Sequence, residues 1–300
     1  MKFKTYQESD LSREQLAMLP SENEIDRYDE IGWHVSPFIL PEELIDEAVR
    51  GAEAFYRGER DWTLNHTDRI SNDDVALDKR LLNNEMTSLQ KMEVRDLINY
   101  PTIGATAMKL ARTNSIRMFA DGIVHKKPVD GTTDQGIVGW HADRPYWPTC
   151  SSHNMMTAWI PLQDCTIDMG PVFYISGSHK WRDDLRFRKL FNFNNQNLDE
   201  MSAFLKKEKP DYVSVPMTLK KGQVSFHHGY TIHASRPNTS SRDRIAIGLH
   251  LQDGANHYVP AFHPDGNKVE IGYDLVCRKD ATGQPDYADP AVFPELFRAQ

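Results

Sequence analysis

The feature that most constrains this chain is a change of texture at Ser115. From there, short runs of β-branched, aromatic and aliphatic residues recur at 115–120, 136–140, 155–162, 172–176, 212–215, 223–227 and 244–251. Turn signals separate them, among them Asp130-Gly131, Met169-Gly170-Pro171 and Lys221-Gly222. Seven or eight short strands with long connections predict a mainly β chain with flanking helices, arranged as a two-sheet jelly roll.

The helices belong before Ser115. Residues 1–22 read as a polar lead-in with one short helix over 12–18, begun by Ser12 with Gln15 three residues on. Gly32-Trp33-His34-Val35 reads as a short strand following a helix. Pro41-Glu42-Glu43 opens another helix, in which Ile45, Ala48, Val49, Ala52 and Phe55 fall at helical spacing and Gly58 lies just past the end. This helix should pack on the sheet. Residues 59–100 are polar and charge-mixed, a long irregular loop giving way to helices over 87–98 and 101–111. Such loops in compact domains often close over a substrate, although a merely solvated segment fits the composition equally well. A charged and aromatic excursion spans 178–209, and the turn-rich tail from Asn256 should wrap the barrel.

With 300 residues, 39% of them hydrophobic, and no internal repeat, the expectation is a single domain over 1–300 with its core at about 25–252 and a wrapping tail at 253–300. A net charge of −8 argues against nucleic acid as a partner. The three cysteines, Cys150, Cys165 and Cys277, form no C-x-x-C pair and suit a reducing compartment. No apolar leader or membrane-length run is seen, so a soluble, cytoplasmic protein is expected. The sequence gives no sign of oligomeric state.

The chemistry concentrates in Gly139-Trp140-His141-Ala142-Asp143. On an extended strand end, side chains two apart share a face, so His141 and Asp143 offer a nitrogen and an oxygen to one ion. Taken alone, an H-x-D is more often a loop histidine beside a turn-capping aspartate. Here it ends an apolar run and precedes Pro145-Tyr146-Trp147-Pro148, aromatic residues suited to a pocket wall. A second histidine would complete the 2-His-1-carboxylate set of non-haem Fe(II) oxygenases. Of His227, His228, His233 and His250, the choice falls on His233: it follows a β-rich run, precedes the turn Arg236-Pro237-Asn238, and has Arg244 on the next strand. His227 and His228 read as supporting or rim residues, with His228 a candidate pocket residue. His250 reads as a strand residue facing a neighbour. A guanidinium at 244 could grip a carboxylate bidentately. Alternation puts Arg242 and Arg244 on one face, so periodicity does not choose between them.

His141-x-Asp143, Trp159, the run from Gly170 to Lys180, and His233-x-Ser235 with Arg244 together resemble the phytanoyl-CoA dioxygenase family over roughly residues 25–250. The resemblance implies a double-stranded β-helix requiring Fe(II), 2-oxoglutarate and O2. It implies His141, Asp143 and His233 as iron ligands and Arg244, rather than Arg242, as partner of the distal 2-oxoglutarate carboxylate. Ser235 would hydrogen-bond the same group, and Trp159 would stand beside the co-substrate. The family's usual Asn-Gly is here Met169-Gly170, a change of turn. Related halogenases lack the carboxylate, so Asp143 favours hydroxylation with release of succinate and CO2 over halogenation.

For the substrate, a small natural product or amino-acid-like molecule is favoured over an acyl-CoA. Lys126-Lys127 and Arg186-Phe187-Arg188-Lys189 are only weak candidates for CoA phosphates. Tyr146, Trp147, Phe191 and Phe193 are candidate wall residues, for which ordinary packing is the competing reading. The competing class is a sugar-binding module, which would not need Ser235 and Arg244 after a third ligand, or a cupin-like metal isomerase, which usually carries more histidines in its metal cluster.

Overall fold

The computed structural model describes residues 3–74, 79–130, 135–184, 186–187 and 197–300. Its strands are β1 (Trp33–Val35), β2 (Leu81–Glu85), β3 (Ser115–Lys126), β4 (Val138–His141), β5 (Met156–Pro161) and β6 (Val172–Ile175), then β7 (Ser214–Pro216), β8 (Ser225–His228), β9 (His233–Ser235), β10 (Arg244–Asp253) and β11 (Glu295–Arg298). They form two antiparallel sheets, the jelly roll anticipated from the strand spacing. The larger runs β1-β8-β5-β10-β3, with β2 and β11 both on the outer edge of β3. β2 covers the Gly122–Lys126 half and β11 the Ser115–Arg117 half. The smaller sheet is β4-β9-β6-β7.

Alternation splits the larger sheet into two chemically different faces. One face presents Ile116, Met118, Ile123, Ala158, Ile160, Phe226, Ile247 and Leu249 to the main apolar core. Helices Glu42–Tyr56, Met92–Ile98 and Pro101–Leu110 close that core with Ile45, Ala48, Ala52, Phe55, Val94, Leu97, Ile98 and Ile103. The opposite face carries Lys126, Thr157, Trp159, His227, Arg244, Gly248 and His250 toward the smaller sheet. The chemically functional face of the larger sheet is thus the one that, with the smaller sheet, encloses a cavity.

The local readings before Ser115 largely survive. Ser12 caps helix Arg13–Ala17, its hydroxyl accepting from the Gln15 amide. Gly32 ends helix Glu22–Ile31 at a positive φ of 80° and β1 follows at once. Three expectations need correction. The irregular stretch 59–100 contains β2, and its first expected helix is a tight turn, Thr87–Leu89, followed by the shorter Met92–Ile98. β3 does not stop at Ala120 but continues through Asp121 and Gly122. Both residue types disfavour strands. Here the Asp121 carboxylate accepts from the Thr87 hydroxyl, the Ser88 hydroxyl and the Ser88 amide. A side chain at 122 would come within 2.8 Å of the Asn84 carbonyl oxygen on β2, a distance only glycine avoids. The tail contributes helix Gly272–Val276 and β11, which pairs with β3. Among the described residues, no helix is long and apolar enough to cross a membrane.

Candidate metal centre

His141 ends β4 and His233 begins β9, and the two are direct cross-strand partners. The register between them is irregular. From Val138 to His141 is three residues (141 − 138), whereas the facing stretch from Ser235 to His233 is two (235 − 233). This extra residue is a β-bulge, which re-aims the side chain beyond it. Without it, alternation would send His141 to the face opposite Val138, away from the cavity both now line. Asp143 reaches the same point by another route. It is not on an extended strand end, as the H-x-D spacing suggested, but in helical conformation (φ −73°, ψ −46°) at the mouth of the turn Arg144–Tyr146. Arg144 pins this turn: its buried guanidinium donates to the carbonyls of Trp147, Cys150 and Ser152.

The donors converge. One atom from each of His141, Asp143 and His233 lies within 4.8 Å of the others, and all three residues are buried. Asp143 Oδ1 is 3.7 Å from His141 Nε2 and 3.5 Å from His233 Nε2. Each imidazole is tied by Nδ1 to a carbonyl two residues back, His141 to Gly139 at 2.8 Å and His233 to Thr231 at 2.9 Å. Since a carbonyl only accepts, Nδ1 carries the proton and Nε2 keeps its lone pair for a ligand. Burial, followed for His141 by the neighbouring His233, pushes the His141 imidazole down to about 3. Burial likewise brings His233 to about 4. Burial works to raise the Asp143 carboxyl, but His233 and the hydrogen bond from His227 outweigh it and hold it well below the ordinary carboxylate range. At neutral pH the set is two neutral imidazoles and one carboxylate on one face, the donor chemistry suited to a ferrous ion with open positions.

The other carboxylate oxygen is held from behind. Thr157 donates to Asp143 Oδ2 at 2.6 Å and His227 Nε2 lies 3.0 Å from it. With its proton given to Asp143, Thr157 accepts from His250 Nδ1 at 2.8 Å, and His227 Nδ1 accepts from the Tyr174 hydroxyl at 2.9 Å. Tyr174 in turn accepts from Ser225 at 2.9 Å. Every member of this relay has a partner.

The centre opens into a cavity of about 600 Å3. Trp159, Ser235 and Arg244 are among its lining residues, as are the aromatic side chains of Tyr146, Trp147 and Tyr273. Asp68–Ser71, Asn83 and Glu85 complete it, so the polar stretch read as a closing segment does border the cavity. Arg244 is 1% exposed. Its guanidinium carbon sits 5.6 Å from the Trp159 ring centre, and its Nη1 donates to the Gly170 carbonyl at 3.1 Å. Its Nε is buried without an acceptor. A buried cation with an idle donor facing a cavity fits an anionic ligand. Arg242, by contrast, is exposed and precedes β10.

His228 needs correction as a pocket residue. Adjacent strand residues face opposite ways, so β8 turns His227 into the cavity and His228 out of it, against Tyr230 and His179. His250 does more than face a neighbour, since it lines the cavity and bonds Thr157. Phe191 and Phe193 lie outside the described residues. Sequence reasoning missed Thr157 and Tyr174 as supports of the site. Thr157 stands two residues before Trp159 and was therefore findable by alternation.

The phytanoyl-CoA dioxygenase (PhyH) family model matches residues 30–246. A phytanoyl-CoA dioxygenase domain-containing protein 1 of Danio rerio is 28% identical over 158 residues, 52% of this chain and 51% of that protein. A phytanoyl-CoA dioxygenase of Arabidopsis thaliana is 38% identical over 93 residues, 31% of each. The chain thus spans about half the length, or less, of the curated relatives it matches. Among solved structures, the non-haem α-ketoglutarate-dependent carbocyclase SnoK from nogalamycin biosynthesis aligns with a TM-score of 0.62 at 23% identity, covering 84% of this chain and 94% of that one. EctD from S. alaskensis, solved with 2-oxoglutarate and 5-hydroxyectoine, aligns at 0.66 and 15% identity, covering 89% and 87%. At these identities the solved structures bear on the fold.

Proposed function

The chain belongs to the phytanoyl-CoA dioxygenase family, and from that premise we propose that it is an Fe(II)- and 2-oxoglutarate-dependent dioxygenase hydroxylating an unactivated C–H bond of a small metabolite. The observation that carries the reading is one cavity shared by a converged His-Asp-His donor set and a buried, under-bonded arginine. His141, Asp143 and His233 would hold the ion. Arg244 would grip the distal carboxylate of 2-oxoglutarate, with Ser235 donating to it and Trp159 flanking it. When bound, the ferrous ion and 2-oxoglutarate together supply oxidative decarboxylation coupled to C–H oxidation, with O2 consumed and succinate and CO2 released. The protein orients the reactants and keeps water away. Tyr146, Trp147 and Tyr273, which line the same cavity, would serve that exclusion.

A natural-product or amino-acid-derived substrate is supported by structural neighbours such as the carbocyclase of nogalamycin biosynthesis. An acyl-CoA substrate finds less support. Lys126 is buried inside the fold, and Arg186 is engaged with Asp184 and Glu208. Arg188 and Lys189 lie outside the described residues. The three cysteines are buried and free, in keeping with a cytoplasmic setting.

Anaerobic Fe(II) titration with 2-oxoglutarate should produce a visible charge-transfer band, and admission of air should yield succinate. Asp143→Ala is expected to abolish substrate oxidation, whereas Arg244→Ala should chiefly raise the KM for 2-oxoglutarate, by about 10- to 100-fold. Absence of both band and succinate would favour a binding module built on the same fold.

A further inference from the structure

Glu85 ends β2 and lines the cavity into which the donor set opens. Its carboxylate is fixed in place but not neutralised. Oε1 accepts from the Tyr273 hydroxyl at 2.9 Å and Oε2 from the Ser71 amide at 3.0 Å, both uncharged donors. Among the described residues no cation pairs with it. Arg69, which lines the same cavity, is joined to Asp68 at 3.2 Å. Asp121, another carboxylate bordering the cavity, already has three donors from Thr87 and Ser88. Asn83 is two residues before Glu85 and so shares its face of β2. It too lines the cavity, and its side-chain amide has no partner among the described residues.

The register shows what Glu85 looks along. Glu85 is paired with Gly122, Gly122 with Gly248, and Gly248 with Trp159. Direct partners in antiparallel strands share a face, so these four residues form one row across the inner side of the larger sheet. Its two middle members have no side chain, and the space above Gly248 is open for 4 Å. β2 and β5 stand three strand spacings apart, about 14 Å. One inward position further along the same strands, Thr157 faces His250, and Thr157 holds Asp143. The row is therefore a glycine-floored trough running from Glu85 to beside the metal centre.

We propose that the substrate carries a protonated amine at one end, ion-paired with Glu85, and lies along this trough toward the metal centre. The proposal rests on the dioxygenase reading above and adds to it the charge of the substrate and the residue that selects it. Closing the chamber over a neutral ligand would leave the Glu85 charge dry and uncompensated, whereas an ammonium pairs it. An ammonium also has three donors, enough for Glu85 and for the idle Asn83 carbonyl oxygen. An anionic end group would meet repulsion at the same place. The length of the trough sets the amine well away from the carbon presented to the metal.

The test uses the full chain loaded with Mn(II) and 2-oxoglutarate, which does not turn over, and calorimetric titration with hexylamine, hexanol and hexanoate. These probes differ only in their end group. Wild type should bind hexylamine at least about tenfold more tightly than hexanol, and hexanoate most weakly of the three. Glu85→Gln keeps the shape and an acceptor for Tyr273 while removing the charge. It should bring hexylamine to within about twofold of hexanol and leave 2-oxoglutarate affinity as in wild type. Equal binding of amine and alcohol by wild type, tighter binding of hexanoate, or an amine preference that survives in Glu85→Gln overturns the proposal. If Glu85→Gln does not fold, the wild-type series decides alone, since absence of a preference for the amine is sufficient to reject it. Failure of 2-oxoglutarate to bind Mn(II)-loaded wild type would instead reject the dioxygenase reading, and this proposal with it.

Discussion

Asp143 divides its work between two oxygens. Oδ1 faces the two imidazoles and Oδ2 is held by Thr157 and His227. A carboxylate fixed at one oxygen offers the other at a set angle, and such supporting bonds typically matter 10- to 100-fold in metal affinity. Thr157→Val keeps the shape and removes the donor. It should weaken Mn(II) binding by about that factor while leaving the melting temperature within a few degrees. Unchanged affinity would mean that His227 alone is enough to orient the carboxylate.

Between β3 and β10 the inner face carries a glycine pair, Gly122 opposite Gly248, with Trp159 beside Gly248 on β5. The two glycines have different reasons. Gly122 lies against the β2 backbone, but a side chain at 248 would meet nothing within 4 Å. The space above Gly248 is thus part of the chamber. Gly248→Leu should leave folding and metal binding intact. It should let succinate form without substrate, while cutting substrate-coupled turnover about tenfold or more. Turnover and coupling equal to wild type would place the substrate elsewhere. Gly170 shows a third constraint, since its φ is 63° and an added Cβ would lie 2.3 Å from the Arg236 carbonyl oxygen. What was legible in the sequence follows from this. Strand rows bearing Val, Ile and Phe announced themselves, as did His141, Asp143, His233 and Arg244 by type and spacing. The glycines, Asp121 and β2 did not, because their conformations are imposed by partners across the sheet rather than by their own preferences. The bulge before His141 was likewise invisible, being a relation between two strands.

For the molecule as a whole, burial sets the pH behaviour. Unfolded, the histidines titrate near their ordinary value of about 6.5; folded, His141 and His233 stay neutral until about 3 and about 4. The unfolded chain therefore takes up protons first as pH falls, and the stability of the metal-free protein should decline from about pH 6.5 toward 4. Protons compete for Nε2 only at the bottom of that window. Mn(II) affinity should accordingly stay level between about pH 7 and pH 5.5, where an exposed histidine pair would already be losing its ion. A steep fall over that range would show imidazoles far more hydrated than this packing allows.

The pairing of His141 with His233 has one more consequence. Two of the three donors are brought together by register alone, and a slip of β4 by a single residue would carry one ring out of the cavity. A mis-threaded barrel would thus lack a complete His-Asp-His donor set. The donor set is thus completed only by correct pairing of β4 with β9, so metal affinity reports on closure of the smaller sheet.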